Sequence, residues 1–273
     1  MAAAGTALRD QVITFDITAR EAVAANAAQR QRFVGLAEAL DDAQWSAASR
    51  CATWSVQDVV RHVAQMTGVT LAALAAARAG ERFEGFAGFD PRTSPDRMVR
   101  AADPQSPAET LRSYRDATAD LLRSVGELDL DDDSLLVMTP AGRQPWPRAT
   151  LHSLFDSAVH ERDVAVPLGL PAAPERAELT AVAAYQVLIA ARVTCLIGLP
   201  LHVELHLDGA DPLTAHVDGS AVSVTRRIGT GAVVARGAAT TVLDAMTGRG
   251  ELSAVLDAPA GVIGALSSLG PLI

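Results

Sequence analysis

The sequence predicts an α+β protein in which an N-terminal helical bundle, residues 1–172, precedes a smaller C-terminal domain, residues 173–273. Two observations predict this division. Apolar residues recur at helical spacing through most of the chain before residue 197, whereas residues 201–207 alternate strictly between apolar and polar side chains, as in a half-buried strand. The composition agrees, because only 4% of the residues are aromatic and small aliphatic side chains must fill the core.

Five helices are predicted before the alternating segment. Their bounds are 18–40, 55–78, 107–125, 148–166 and 175–197. The second has the clearest start signal, since Ser55 is an N-cap candidate and Asp58 stands three residues later, as in a capping box. Residues 79–104 are rich in glycine and proline and predict a long loop. The acidic run 129–133 predicts a solvated turn, because the glycine and distal glutamate of a calcium loop are missing.

The C-terminal domain is predicted to mix strands and short helices. The predicted strands are 201–207, 213–217, 220–226 and 251–256, and the predicted helices are 239–247 and 259–269. Asp218 and Gly219 have the residue types of a hairpin turn between the second and third of these strands. His202, Glu204 and His206 share one face of the first strand, which we interpret as a solvated face.

Composition excludes several classes of function. The net charge is −9 and no basic cluster is present, which argues against nucleic acid or an anionic membrane as a partner. All 23 basic residues are arginine, so a mechanism based on a lysine Schiff base or a P-loop lysine is excluded. The two cysteines, Cys51 and Cys195, fit reduced thiols of a cytoplasmic protein. The N-terminus does not have the pattern of a signal peptide, and no charge-free stretch predicts a transmembrane helix.

Histidines and an aspartate form one polar stripe on the fourth predicted helix. His152, Asp156 and His160 stand at i, i+4 and i+8, a spacing that projects side chains from one face and lets two of them chelate one ion. His62 lies two turns into the second helix, and helical bundles build metal sites from inward side chains on facing helices. The spacing alone leaves open a metal site, a partly exposed polar stripe, or an Asp–His hydrogen bond without metal.

Two segments resemble the signatures of the mycothiol-dependent maleylpyruvate isomerase family of the DinB-like superfamily. Residues 40–63 read LDDAQWSAASRCATWSVQDVVRHV, with an acidic stretch ending in Gln-Trp, a Cys-x-x-Trp and a final histidine. Residues 139–146 read TPAGRQPW, and residues 159–169 read VHERDVAVPLG. The resemblance covers about residues 1–170 in order, and the C-terminal part has the strand-rich pattern of the sterol-carrier-like domain that many members append.

The resemblance implies a DinB-like metal-binding bundle whose ligands are His62, Asp156 and His160. Two positions depart from the family pattern: members close to the isomerase have glutamate where this chain has Asp156, and many have tryptophan where it has Arg162. Asp is one methylene shorter than Glu, so the helices must approach more closely or a water must bridge. His152 is the reserve ligand, and Asp163 is interpreted as a local capping or pairing residue.

The implied cofactors are a divalent metal, for which mixed His and carboxylate ligation favours zinc, and mycothiol or a similar small thiol. Three protein ligands leave a coordination position open for chemistry. The implied activity is either a maleylpyruvate-type cis-trans isomerisation, in which the thiol adds and leaves, or an S-transfer, in which it remains on an electrophilic small molecule. The alternative is a non-catalytic small-molecule binding protein with a structural or vestigial metal site.

Arginines are the candidates for binding an acidic substrate or cofactor in an acidic protein. The candidates are Arg82, Arg92, Arg226, Arg227 and Arg249. We assign Arg249 as the catalytic candidate, because flanking glycines present it on a loop, and Arg82 as the cofactor-binding candidate. Cys51 lies at the start of the second helix, where a thiolate is favoured, but the family uses an external thiol and we interpret this cysteine as a packing residue.

Overall fold

The computed structural model describes residues 11–227 and 231–267. The chain divides into two compact units, one formed by Ala19–Pro174 and the other by Met1–Thr18 together with Glu175–Ile273. The first is a helical bundle with one hairpin, and the second is a mixed sheet with helices. The predicted α+β class is confirmed.

Six helices and one hairpin make up the bundle unit within the described residues. The helices are α1 (Ala19–Glu38), α2 (Asp42–Ser46), α3 (Val56–Arg78), α4 (Ser94–Ala101), α5 (Pro107–Gly126) and α6 (Trp146–Ala165). After β1 (Val12–Phe15), which belongs to the other unit, the hairpin strands are β2 (Leu136–Thr139) and β3 (Gly142–Pro145). The long helices α1, α3, α5 and α6 pack as a four-helix bundle, in which α3 and α1 each contact both α5 and α6.

The bundle core is built mainly from valine, leucine and alanine, with a few aromatic anchors. Phe33 of α1 and Tyr114 of α5 are fully buried and pack edge to face with ring centroids 5.2 Å apart. Val59 and Val63 of α3 complete this layer. Trp146, at the first position of α6, anchors a second layer and donates its indole N–H to the carbonyl of Asp132, 2.7 Å away. The acidic run therefore forms a turn that also fixes the start of α6.

The second unit is a five-stranded sheet with helices. Its remaining elements are α7 (Arg176–Leu196), β4 (Leu201–Asp208), β5 (Leu213–Asp218), β6 (Ala221–Thr225), β7 (Val233–Ala238), α8 (Ala239–Met246), α9 (Leu252–Val255) and α10 (Ala260–Leu266). The strand order is β1-β6-β5-β4-β7. The long helix α7 packs on β5 and β6. The hairpin turn that Asp218 and Gly219 predicted is present, with Gly219 at φ +55°.

The first described residues lie in the sheet unit, so the predicted placement of residues 1–172 in one bundle is wrong at its start. Strand β1 pairs in parallel with β6, with Val12 opposite Ala221. Asp16 reinforces this pairing, since its carboxylate accepts a hydrogen bond from the backbone N–H of Arg226 at 2.8 Å. The partner of this edge strand lies more than 200 residues away in the chain. The pairing therefore leaves no periodic signal in the local sequence. The other boundary falls between Pro174 and Glu175, two residues from its predicted position.

The predicted strand 251–256 is also wrong, because Leu252–Val255 forms a single helical turn. Its two buried leucines, Leu252 and Leu256, stand one helical turn apart rather than alternating as in a strand. The elements that the sequence did not predict are all short: β1, α2, α4, β2, β3 and β7. Helix α4 begins with Ser94 and Pro95, a start signal within the segment predicted as a loop. The last predicted helix, 259–269, extends beyond the described residues.

Two of the helices are long and apolar enough to cross a membrane by length and composition, α3 and α7. In their most apolar stretches 44% and 78% of the residues are buried inside the protein. Burial of this kind is expected of core helices, and α3 also carries the buried polar side chain of His62.

The predicted start of α3 is confirmed and gives a testable consequence. Ser55 Oγ accepts from the backbone N–H of Asp58, and the Asp58 carboxylate accepts from the backbone N–H of Ser55. We expect Ser55→Ala to lower the free energy of unfolding by about 1 kcal/mol, because the backbone N–H of Asp58 loses its partner. Urea unfolding followed by circular dichroism measures the change.

Ser113 provides the matched control for this measurement, since it is exposed and lies within α5 rather than at a cap. Ser113→Ala should leave stability unchanged or raise it slightly, because alanine is the better helix former. Equal destabilisation by both substitutions would contradict the role of the cap.

Candidate metal centre

Helices α3 and α6 are neighbours in the bundle and bring together residues that are far apart in the chain. His62 lies on the second turn of α3 and is 2% exposed. Asp156 and His160 lie one turn apart on α6 and project from the same face. The imidazole rings of His62 and His160 have centroids 4.8 Å apart and cross nearly at right angles. The structure therefore unites the three side chains for which the sequence predicted a common site.

The ligand atoms of these three residues converge on one point. The Nε2 atoms of His62 and His160 each lie 3.8 Å from the same oxygen, Oδ1 of Asp156. One potential ligand atom from each of the three residues lies within 4.8 Å of the others. His62 is nearly inaccessible to solvent, whereas the Asp156 side chain is 26% exposed. The cluster thus has a buried side on α3 and an accessible side on α6.

The indole ring of Trp54 lies beside both histidines. Its centroid is 5.2 Å from that of His62 and 6.2 Å from that of His160. The indole N–H donates to the carboxylate of Asp96 on α4 at 3.1 Å, and Arg100 donates to the same carboxylate at 2.8 Å. Helix α4, which the sequence did not predict, therefore fixes the ring that shields one side of the cluster from water.

Asp163 is completely buried behind His160. Its Oδ2 lies 3.0 Å from His160 Nδ1, and its Oδ1 accepts a hydrogen bond from the guanidinium of Arg50 at 3.2 Å. A carboxylate in this position bonds the Nδ1 side of the imidazole and directs Nε2, the other ring nitrogen, toward Asp156. The predicted local pairing of Asp163 is thus present, and its chemical consequence is a fixed orientation for His160.

Cys51 belongs to the same network. Its Sγ donates to Asp163 Oδ2 at 3.0 Å and lies 3.7 Å from His160 Nδ1. Cys51, His160 and Asp163 form a second group whose potential ligand atoms lie within 4.8 Å of one another. The half-buried cysteine also packs against the core layer that contains Val59, in agreement with a packing role.

The protonation states follow from burial and from these contacts. Burial lowers the pKa of His62, and the neighbouring His160 adds to the effect against the opposing pull of Asp156. Burial also disfavours the imidazolium form of His160, but Asp163, Cys51 and Asp156 together raise its pKa to about 10. Burial would raise the pKa of Asp156, yet the surrounding histidines hold it well below its usual range. The cluster therefore keeps an ionised carboxylate beside one neutral imidazole.

The other sequence candidates do not join this cluster. His152 lies one turn before Asp156 but is in neither of the two ligand groups found among the described residues. Arg82 lies after α3 with an 86% exposed side chain that pairs with Glu84. Arg249 belongs to the sheet unit, where its guanidinium donates to the carbonyl of Thr247 at 2.6 Å. The assigned roles of Arg82 and Arg249 remain predictions.

The sequence did not single out a buried arginine next to the cluster. Arg30 of α1 is 1% exposed and lines a cleft together with His152 and Asp156. The helical spacing of the sequence could have indicated its burial, because Arg30 falls on the same helical face as the core residues Phe33 and Ala37. An arginine on that face predicts either a buried ion pair or a binding residue.

Comparison with known proteins identifies the family. Residues 26–165, just over half of the chain, match the family model described as the mycothiol maleylpyruvate isomerase N-terminal domain. The chain belongs to the mycothiol maleylpyruvate isomerase family. The matched region begins within α1 and ends with α6, so it includes every residue of the histidine–aspartate cluster. Among curated proteins no match was found.

Solved structures similar to this member of the family extend the likeness of fold to both units. The crystal structure of the mycothiol-dependent maleylpyruvate isomerase has a TM-score of 0.63 and 16% sequence identity, over 90% of this chain and 95% of that one. A mutant of that enzyme gives a TM-score of 0.62 at the same identity and coverage. At 16% identity, the similarity shows that this chain shares the fold of that enzyme.

The donor set of this family member fits a divalent metal ion. Two imidazoles and one carboxylate are ligands that zinc accepts, and ligand atoms about 2.1 Å from a tetrahedral ion lie roughly 3.4 Å apart. The two separations of 3.8 Å from Asp156 Oδ1 are close to that spacing. The shorter aspartate therefore reaches both histidines, and no bridging water is required to bring the three side chains together.

A pH dependence follows from His152. Burial lowers its pKa from 6.5 to about 4, against the pull of Asp156. Below pH 6.5 the unfolded chain takes up a proton that the folded protein refuses, so stability falls as the pH drops from 6.5 to 4, by at most about 3 kcal/mol from this group. We expect His152→Gln to reduce this loss, measured by urea unfolding across that range in the presence of chelator.

Measurements at pH 8 provide the reference, because His152 is then neutral in both the folded and the unfolded chain. The difference between wild type and variant at pH 8 gives the packing effect of the substitution alone. If the difference in unfolding free energy between wild type and His152→Gln is the same at pH 8 and at pH 4.5, the proposed role of His152 is contradicted.

Proposed function

We propose that this protein is a metal-dependent enzyme that uses mycothiol or a similar small thiol as the nucleophile on an electrophilic small molecule. His62, Asp156 and His160 would hold the metal, for which the mixed nitrogen and oxygen donors favour zinc. The observation that carries the proposal is the convergence of two histidine Nε2 atoms on one aspartate oxygen, at 3.8 Å each. Family membership supports the thiol as the second reactant.

Each side chain of the cluster has a defined part in this proposal. A bound divalent cation would deprotonate a coordinated thiol at neutral pH and so supply a thiolate. His62 and Trp54 exclude water on the α3 side of the centre. Asp163 bonds His160 Nδ1 and so directs Nε2 at the centre, where a bound cation would take the place of the Nε2 proton. The accessible side of Asp156 is then the direction from which the thiol and the electrophile approach.

The reaction would be either an isomerisation or an S-transfer. In both, the thiolate sulfur would add to one carbon of the double bond, and the electron pair of that bond would move onto the conjugated carbonyl as an enolate. In the isomerisation the enolate would re-form the double bond and expel the thiolate after rotation, and in the transfer the enolate carbon would take up a proton while the sulfur stays. The absence of any lysine from the chain is consistent with a nucleophile supplied from outside. We expect the protein to act in the cytoplasm, where such thiols are kept reduced.

The proposed ligands predict a loss of metal on substitution. We expect His62→Ala and His160→Ala to abolish zinc retention while the helical circular dichroism stays nearly unchanged, because apolar packing supplies most of the bundle stability. Asp156→Glu should retain zinc. Metal analysis by mass spectrometry of the purified proteins measures the effect.

Two further variants make this test more specific: one is expected to lose part of the zinc affinity, and the other is a control at a histidine outside the cluster. Asp163→Asn should weaken zinc binding by about 10- to 100-fold without abolishing it, because Asp163 orients His160 but is not itself one of the proposed ligands. His206→Ala should leave the zinc content unchanged, since His206 pairs with Glu204 in the sheet unit. Full zinc occupancy in both His62→Ala and His160→Ala would refute the assignment.

The thiol chemistry predicts a product that depends on both metal and thiol. We expect zinc-loaded protein to convert unsaturated acids or quinones in the presence of mycothiol, and we expect chelator, or replacement of the thiol by its alcohol analogue, to eliminate turnover. Mass spectrometry distinguishes the two reactions, because an isomerase leaves the substrate mass unchanged and an S-transferase adds the mass of the thiol. No product across the panel would favour the non-catalytic binding protein.

A further inference from the structure

Two histidines stand directly opposite each other on inner strands of the sheet unit. In the antiparallel pairing of β4 with β5, His202 is the register partner of His216. Their imidazole centroids are 4.8 Å apart, and the ring planes are inclined by 50°. His216 is exposed and His202 is half-buried, so solutes can reach the pair. His206 lies further along β4 and is engaged by Glu204, so it is separate from this pair.

The separation of the two rings suits two imidazoles that bind one metal ion. Nitrogen ligands lie about 2.0 Å from zinc or copper, which places the ring centroids roughly 4.5 to 5.2 Å apart for ligand angles between about 90° and 109°. The observed 4.8 Å falls within this range, and it equals the separation of His62 and His160 in the candidate metal centre. Rotation about the side-chain bonds would direct one nitrogen of each ring at a shared ion.

Carboxylates flank the pair on the same face of the sheet. Glu204 follows His202 by two residues on β4, and Asp218 follows His216 by two residues on β5. Because the strands are antiparallel, the two acidic residues lie on opposite sides of the pair, each about 7 Å along its strand. Their register neighbours, and that of His216, are uncharged: Thr214, Ala221 and Ser223. A cation held between the imidazoles would therefore lie in a negative field.

The fold holds both backbone positions in place. Strand β5 is hydrogen-bonded to β4 on one side and to β6 on the other. The residues next to the histidines along the strands, Val203, Ala215 and Val217, are buried, and α7 packs on β5. Chelation would then cost little conformational entropy, because only the two side chains remain to be ordered.

We propose that His202 and His216 chelate a divalent transition-metal ion on this face of the sheet, at a site separate from the bundle centre. Imidazole nitrogen is a ligand suited to copper, nickel and zinc, whereas magnesium and calcium take oxygen ligands. Copper binds most tightly in the divalent series. The ion would join β4 to β5, with solvent in its remaining coordination positions.

The number of protein ligands distinguishes this site from the bundle centre. Two side chains on an accessible face release a metal ion more readily than the three that converge in the bundle. Zinc that remains after gel filtration therefore reports the bundle centre, whereas the sheet site is measured with metal present at equilibrium. The sheet site shares no residue with the bundle centre, so the failure of one proposal leaves the other standing.

Titration calorimetry with nickel chloride on the full-length, zinc-loaded protein tests the site. Nickel is the probe because, unlike copper, it does not oxidise the free thiols of Cys51 and Cys195. We expect one nickel ion per chain to bind in a step that His202→Gln and His216→Gln each weaken by at least about tenfold, since losing a ligand costs more than losing the partner that orients one. The double variant should weaken binding little further, because a chelate is lost with either ligand.

Two controls separate chelation from other kinds of binding. His206→Gln removes a histidine from the same strand and face and should leave the nickel step unchanged. Magnesium chloride should give no such step, because imidazole is a poor ligand for magnesium, although the carboxylates attract both ions. Equal loss in His206→Gln, losses that add fully in the double variant, an equal response to magnesium, or no nickel step in the wild type would each overturn the proposal.

Should a variant fail to fold, the histidine ring resonances of the wild-type protein provide the readout. Paramagnetic nickel at substoichiometric amounts should broaden the signals of His202 and His216 together and ahead of those of His206. Equal broadening of all three rings, or broadening of only one member of the pair, would contradict the shared site.

Discussion

The buried carboxylate of Asp163 is the interaction on which the geometry of the centre depends. It lies at the end of α6, yet it binds three groups that come from two parts of the chain: the thiol of Cys51, the guanidinium of Arg50 and Nδ1 of His160. The backbone N–H of Arg50 also donates to the backbone carbonyl of Asp163 at 3.1 Å. The segment that leads into α3 is thereby fixed to α6, and His62 is held opposite His160.

Two kinds of burial coexist in the bundle. The aliphatic and aromatic layers around Phe33 and Trp146 exclude water and supply stability in proportion to the apolar area that they bury. The polar face of α1, with Asn26 and Arg30, works against that stability, because its groups are removed from water without full compensation. A bundle that served only as a scaffold would gain stability from apolar residues at these positions. Arg30 lines the same cleft as Asp156 of the cluster.

The departures from the family pattern act at different points of the centre. Aspartate at position 156 still reaches both histidines, since both separations are 3.8 Å, so the change from glutamate leaves the donor set intact. Arg162 lies on the last turn of α6, two residues after His160, and its difference from the tryptophan of many members concerns the surroundings of the centre rather than its ligand atoms.

Local sequence determined the helices and the candidate ligands, because both depend on the period of the α-helix. The i, i+4 spacing of Asp156 and His160 fixed their common face before any tertiary contact was known, and the cap at Ser55 fixed where α3 begins. The resemblance to the family added His62 as their partner. These features are encoded within a few residues, and the structure confirms the helices and the closeness of the three side chains.

Only the tertiary structure decided which distant groups surround those residues. Three sets of contacts each join segments more than 100 residues apart: the parallel pairing of β1 with β6, the contacts of Asp163 with Cys51 and Arg50, and the hydrogen bonds of Arg30 with Ser153. Such contacts have no periodic signature, and the short strands that carry some of them are too brief to show one. Whether a buried polar residue is paired or left open depends on what the rest of the chain places beside it, and the sequence by itself does not state this.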